Sequence, residues 1–274
     1  MSRPRIGFLL PHYPRRSKSY MPQVVRALAD AGAVVDVIHP LERAVDLSQV
    51  QVRHDLYVLR QISRLALSLA GALHEQGAAI VNPFPATIAL RDRIIKSRVL
   101  QIAGVPTPST YVASTPDQLA PMLDEGPLVV KPYQEGGGIR IVRTPAELAQ
   151  VNYGRDPVFS QRYHPPQGSD CKIYAIGEQL FGVKKVFPRH TEAEKLGEPF
   201  TLTPEFRNIA RLCGKAFNID LYGLDIIESD GKAYVVDMDT IPGYKGVPDA
   251  PGLLARYLYA AADRAARGEA LRAG

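Results

Sequence analysis

The stretch Tyr222-Gly-Leu-Asp-Ile-Ile-Glu-Ser-Asp-Gly-Lys-Ala-Tyr-Val-Val-Asp-Met-Asp-Thr-Ile-Pro-Gly-Tyr-Lys-Gly246 decides the fold. Two apolar runs flank Ser229-Asp230-Gly231-Lys232, a turn composition that closes a β-hairpin. Three carboxylates interrupt the runs: Asp225 in the first strand, Asp237 and Asp239 in the second. Side chains alternate along a strand, so Asp237 and Asp239 face one way and Met238 the other, and Asp225 comes level with them across the hairpin. Crowded ionised carboxylates repel one another unless a cation lies between them or a proton is taken up. Hard oxygen ligands with no Cys or His nearby favour magnesium or manganese bridging a phosphate. Any one of the three alone would equally suit a turn or a strand edge in water.

Upstream of the hairpin, Pro204 to Phe217 is an amphipathic helix whose apolar stripe is Ile209, Leu212, Cys213 and Ala216. Arg189 to Phe200 is polar, lacks a period and reads as a mobile loop over a site. Cys171 to Ile176 and Gln179 to Lys184 form a hairpin around Gly177-Glu178, with Lys172 and Lys184 on one face if the register allows and Lys185 beside them. Lysines on strands also serve as edge solubilisers.

Further back, Lys131 interrupts the apolar strand Pro127 to Pro132, and Gln134-Glu-Gly-Gly-Gly138 follows. Glycines let backbone N–H groups approach phosphate oxygens, and a strand-end lysine adds a mobile point charge. A hairpin turn into Ile139 to Val142 would look the same, and the Gly-Lys-Ser/Thr ending of a Walker loop is absent. Thr87 to Ala103 has helical spacing and carries Arg91, Asp92, Arg93, Lys96 and Arg98. Thr144 and Glu147 form a capping box at the start of a short helix.

The N-terminal third alternates strand, helix and strand: Arg5 to Leu10, Gln23 to Ala31, then Val34 to Ile38, Asp55 to Leu59 and Ala78 to Val81. That order implies a right-handed parallel sheet with its ligand-side loop after the first strand, where Arg15, Arg16 and Lys18 lie. A solvated basic loop would carry the same charges. The 274 residues are 46% hydrophobic and 22% charged, as in an ordinary folded protein and unlike a disordered one. A net charge of +5 from scattered basic residues suits an anionic ligand and does not point to nucleic acid. Cys171 and Cys213 form no metal-spacing motif, and the opening apolar run is too short for a signal or a membrane span. The expectation is therefore a cytoplasmic protein off the membrane, with a homodimer as the default assembly.

In this order, the pieces resemble the ATP-grasp superfamily over essentially the whole chain, most specifically in its last hundred residues. The resemblance implies an α/β (α+β) fold in three lobes. An N-terminal open parallel lobe (1–85) precedes a central lid lobe (86–157) and a C-terminal lobe (158–274), with ATP between the last two. Two branches are similar. The ribosomal-protein glutamate ligases, which are carboxylate-amine ligases, carry lysine where Arg93 stands, with Lys96 one turn later, and asparagine where Asp239 stands. The inositol trisphosphate 5/6-kinases end their metal strand in a segment closely followed by Pro242-Gly243-Tyr244-Lys245-Gly246-Val247, and carry lysine at the position of Lys172.

By resemblance, Lys131 with Lys96 or Arg93 contacts the ATP phosphates, and Gly136, Gly137 and Gly138 cover them. Gln161, Arg162 and Tyr163 form the adenine connector, and Asp170 holds a ribose hydroxyl. Asp225, Asp237 and Asp239 bind two magnesium ions, with manganese as a substitute, and Lys172 and Lys184 neutralise the transferred phosphoryl group. The implied activity is ligation of a small-molecule or peptide acid to an amine through an acyl phosphate. A small-molecule kinase acting on a hydroxyl, or an ATP-binding module without turnover, would use nearly the same residues.

Overall fold

Continuous apolar runs in β1 (Arg5–Leu9) and β3 (Leu56–Leu59) need cover on both faces, and the computed structural model supplies it. It describes residues 3–14, 17–42, 44–60, 63–133, 138–168, 170–186 and 191–271. With β2 (Val34–Ile38) and β4 (Ile80–Val81), these strands form a parallel sheet in the order β2-β1-β3-β4. Ile6, Phe8, Leu56 and Val58 pack against Val24 and Leu28 of α1 (Met21–Asp30) and against Leu254 and Leu258 of the C-terminal helix Ala250–Ala266. Leu9, Tyr57 and Leu59 pack on the other face against Leu69 and Leu73 of α2 (Arg64–Glu75). Arg15 and Arg16 lie outside the described residues, and Lys18 is exposed.

The single helix expected over 87–103 is two: α3 (Phe84–Arg91) and α4 (Arg93–Ile102). Asp92 separates them in extended conformation, and its Oδ1 accepts from Ile94 N–H (2.9 Å) and Ile95 N–H (3.0 Å). This N-cap starts α4 afresh and places Arg93 at its first position and Lys96 one turn on.

A four-stranded antiparallel sheet follows, in the order β5-β8-β6-β7, from β5 (Thr110–Ala113), β6 (Leu128–Lys131), β7 (Arg140–Val142) and β8 (Val158–Arg162). A 3-10 stretch, Pro116–Glu125, and the short α5 (Pro145–Leu148) cover it. Thr144 caps α5 by accepting from Glu147 N–H, but the Glu147 carboxylate accepts from Arg143 N–H, so the reciprocal bond of the expected capping box falls one residue early.

The last sheet is five-stranded and antiparallel, in the order β11-β10-β9-β12-β13. Its strands are β9 (Asp170–Ile176), β10 (Gln179–Lys185), β11 (Glu198–Phe200), β12 (Leu221–Ser229) and β13 (Lys232–Thr240). Asp230 and Gly231 close the β12–β13 hairpin with positive φ of 50° and 72°, the two-residue geometry that matches strand twist. Alternation divides the sheet. Cys171, Ile173, Ala175, Leu224, Ile226 and Met238 pack against α7 (Pro204–Phe217), leaving Lys172, Tyr174, Asp225, Asp237 and Asp239 on the opposite face.

The expectation of an unstructured loop up to Phe200 is corrected. Residues 187–190 lie outside the described ones, but α6 (Glu192–Leu196) and β11 follow, started by a full capping box between Thr191 and Glu194. Sheet membership also shifts the expected lobe edges. Strand β8 belongs to the central sheet, Leu90, Leu100 and Val105 pack with the α7 core, and the C-terminal helix, α8, completes the first lobe.

Candidate active site

Lys131, the last residue of β6, is 5% exposed and reaches from the central sheet to the terminal hairpin. Its Nζ donates to Gln161 Oε1 at 2.7 Å and to the Val236 carbonyl at 2.8 Å. That carbonyl is accessible because the hairpin register slips at Asp225/Ile226: Asp225 faces Asp237 and Ile226 faces Val235, leaving Val236 as the extra residue of a bulge. Burial pushes the Lys131 ammonium down to about 8; Asp237 acts against this shift, and Arg93 and Lys96 act with it.

From α4, Lys96 Nζ donates to Asp237 Oδ1 (2.5 Å) and to the Met238 carbonyl (3.1 Å), and Arg93 Nη1 approaches Asp237 Oδ2 at 3.5 Å. Burial alone would raise the Asp237 carboxyl. Lys96, Arg93 and Lys131 outweigh it and hold the group well below the usual carboxylate range, so it stays ionised. Asp92 anchors this corner, since besides capping α4 it accepts a hydrogen bond from the Tyr133 hydroxyl, whose pKa that bond pushes up to about 12.

Three cations thus surround one carboxylate. Arg93 is 8% exposed, and among the described residues its buried Nε has no partner. Such a surplus of buried positive charge fits an anion with several oxygens, as the β and γ phosphates of ATP have. On the neighbouring strand Lys172 pairs with Asp225, which sits opposite Asp237, and Asp239 sits opposite Gly223. The three aspartates share a face but form no closed cage. Among the described residues, the trio with ligand atoms mutually within 4.8 Å is the surface group His12, His39 and Glu42. An open carboxylate set suits magnesium, which keeps waters and takes phosphate oxygens alongside one or two carboxylates.

The other expected residues separate. Gly138 is exposed and its carbonyl accepts from the Tyr153 hydroxyl; Gly136 and Gly137 lie outside the described residues. Gln161 is buried as the partner of Lys131. Arg162 donates to the Gly126 carbonyl (2.5 Å), the Met122 carbonyl (2.9 Å) and Glu125 (3.0 Å), so its side chain staples β8 to the 3-10 stretch. Tyr163 N–H donates to the Pro127 carbonyl, and Asp170 opens β9 opposite Lys185.

Lys184 is a correction. It pairs with Cys171 in register, places its Nζ 5.3 Å from the Phe200 ring centroid, and is exposed on the side away from Lys172. The lysine that shares a face with Lys172 is Lys185, 4% exposed, whose Nζ donates to the Tyr174 hydroxyl at 3.2 Å.

Sequence reasoning also passed over Asn82, which is buried at the end of β4. Its Nδ2 donates to the Leu221 carbonyl (2.6 Å) and to Thr240 Oγ1 (2.7 Å), tying the first lobe to both ends of the acidic hairpin. The kinase-like ending has a packing role. Tyr244 is fully buried with its hydroxyl on the Ala175 carbonyl, and Gly246, at φ 88°, leaves no room for a Cβ, which would lie 2.3 Å from the Leu196 carbonyl.

Residues 90–254 match the RimK-like ATP-grasp domain family. A probable alpha-L-glutamate ligase of Shewanella loihica is 23% identical over 273 residues, covering 87% of this chain and 89% of that protein. A RimK-domain ATP-grasp protein from Sphaerobacter thermophilus superposes with a TM-score of 0.75 at 19% identity, over 92% of this chain and 98% of its own. The ATP-grasp ligase PsnB, in complex with a minimal precursor, Mg and ADP, gives 0.70 at 18% identity, over 93% and 95%.

Proposed function

The chain belongs to the RimK-like ATP-grasp domain family and is an ATP-grasp enzyme of the carboxylate-amine ligase type, and from that premise we propose how its own residues do the work. Lys131, Lys96 and Arg93 hold the β and γ phosphates of ATP, and Gly136, Gly137 and Gly138 close over them. The backbone of Gln161, Arg162 and Tyr163 lines the adenine, and Asp170 takes a ribose hydroxyl. Asp225, Asp237 and Asp239 carry magnesium, as two ions replaceable by manganese, which when bound neutralises charge on the phosphates. Lys172 faces the transferred phosphoryl group.

A carboxylate oxygen of the acid attacks the γ phosphorus and the bond to ADP breaks. An amine nitrogen then attacks the acyl carbon, phosphate leaves with the former carboxylate oxygen, and the amine gives up a proton. Positioning and charge neutralisation carry most of such a transfer. The single observation that supports this reading best is the convergence of Lys131, Lys96 and Arg93 on the segment Val236-Asp237-Met238, with the buried Arg93 Nε left without a partner among the described residues.

Among the described residues no helix is long and apolar enough to cross a membrane. A cytoplasmic homodimer, acting on a small-molecule or peptide acid without nucleic acid, completes the proposal. The test is product analysis with ATP, magnesium and pooled acids and amines. Release of ADP and phosphate that requires both an acid and an amine is expected. ADP formed without phosphate would make the enzyme a kinase, and no turnover would leave a binding module.

A further inference from the structure

A cavity of about 410 Å³ opens on the aspartate face of the five-stranded sheet, on the side of the first lobe. Its wall carries six cationic side chains, Arg60, Arg91, Lys172, Lys185, Lys195 and Lys245, against the two carboxylates Asp225 and Asp239. Lys131, Lys96, Arg93 and Asp237 do not line it, so apart from Lys172, which with Asp225 and Asp239 marks the edge shared with the phosphate site, these cations are additional to the set that meets the nucleotide phosphates. The cations come from six separate places: the end of β3, α3, β9, β10, α6 and the loop after β13. Lys172 pairs with Asp225, and Arg91, Lys185 and Lys195 have interactions of their own, so the positive charge left open to a ligand anion rests on Arg60 and Lys245.

Two of them are especially informative. Arg60 stands at the carboxyl end of β3, fixed by its N–H to the Leu9 carbonyl, and Lys245 follows Tyr244, whose burial fixes the loop. Among the described residues neither side chain has a hydrogen bond or an ion pair. Arg60 reaches the cavity from the first lobe and Lys245 from beyond Pro242, whereas Lys172 and Asp225 lie at the edge where phosphoryl transfer would occur. The volume is that of a small-ligand site.

We propose that the acid substrate is a small polyanion: besides the carboxylate that is activated, it carries a second anionic group, carboxylate or phosphate, held by Arg60 and Lys245 with Lys185 behind them. This rests on the ligase reading above for which group reacts, but not for the existence of the second subsite. It makes Arg60 and Lys245 specificity-determining residues.

The test is calorimetric binding to the whole protein, loaded with magnesium and a non-hydrolysable ATP analogue, using butyrate, glutarate and 3-phosphonopropionate as probes. Glutarate or 3-phosphonopropionate should bind at least about tenfold more tightly than butyrate, the increment of a charge-assisted contact. Whichever of the two binds more tightly identifies the second group. Arg60→Met and Lys245→Met should each erode that preference while leaving affinity for the ATP analogue unchanged, which also shows that the variants fold. Equal affinity for all three probes, no binding of any, or a preference that survives in the double variant would overturn the proposal. Turnover separates the two readings. A polyanion preference in binding, with no acid-dependent release of ADP and phosphate, removes the ligase and keeps the subsite. Equal turnover of butyrate and glutarate removes the subsite and keeps the ligase.

Discussion

Lys131 couples the site's electrostatics to stability. Its ammonium titrates near 8 when folded, below the ordinary lysine value, so between about pH 8 and 10.5 the unfolded chain holds a proton that the folded chain has lost. Stability of the nucleotide-free, metal-free protein should therefore rise with pH across that window, and denaturant unfolding of Lys131→Met should lose this rise. The same variant should bind ATP roughly 10- to 100-fold more weakly, the scale of losing charged hydrogen bonds, and unchanged affinity would remove Lys131 from the phosphate site. The aspartates were legible in sequence because strand alternation is local. Lys184 was misassigned although the signal was present: a two-residue turn at Gly177-Glu178 pairs Ile176 with Gln179, and counting outward sets Lys172 against Val183 and hence beside Lys185.

Among the elements, the join between α3 and α4 carries the most. Asp92 caps α4 and receives the Tyr133 hydroxyl, so one side chain connects the helix bearing Arg93 and Lys96 to the strand end that leads into the glycine loop. Asp92→Ala should cost about 1 kcal/mol of stability from the cap and also raise the KM for ATP. Asp92→Asn, which keeps a cap acceptor, should recover most of the stability, and equal KM values in wild type and both variants would confine Asp92 to a structural role. The helix periodicity was visible from 87 to 103, and it hid the break because the apolar spacing runs on across Asp92, although Asp is a poor mid-helix residue and a preferred N-cap. The capping box at Thr191 and Glu194 was present in the sequence, and the absence of hydrophobic period around it concealed so short a helix.

At the scale of the molecule, α8 returns to cover β1 and β3, so the first lobe is finished by the last helix. Leu258→Ala, at a position 1% exposed in that shared core, should destabilise the protein by about 2–5 kcal/mol. Protease nicking within the N-terminal sheet should rise as well, whereas cleavage confined to the C-terminal end would contradict the packing. Such closure was not legible: α8 advertises an apolar face without saying which sheet it meets. Arg60, Lys245 and Asn82 reach the site by the same long-range route. The central claim, that a substrate carboxylate is activated by phosphoryl transfer, is tested most directly by labelling that carboxylate with heavy oxygen and analysing the phosphate released when the amine is present. One labelled oxygen per phosphate is the predicted result, and unlabelled phosphate would contradict the account.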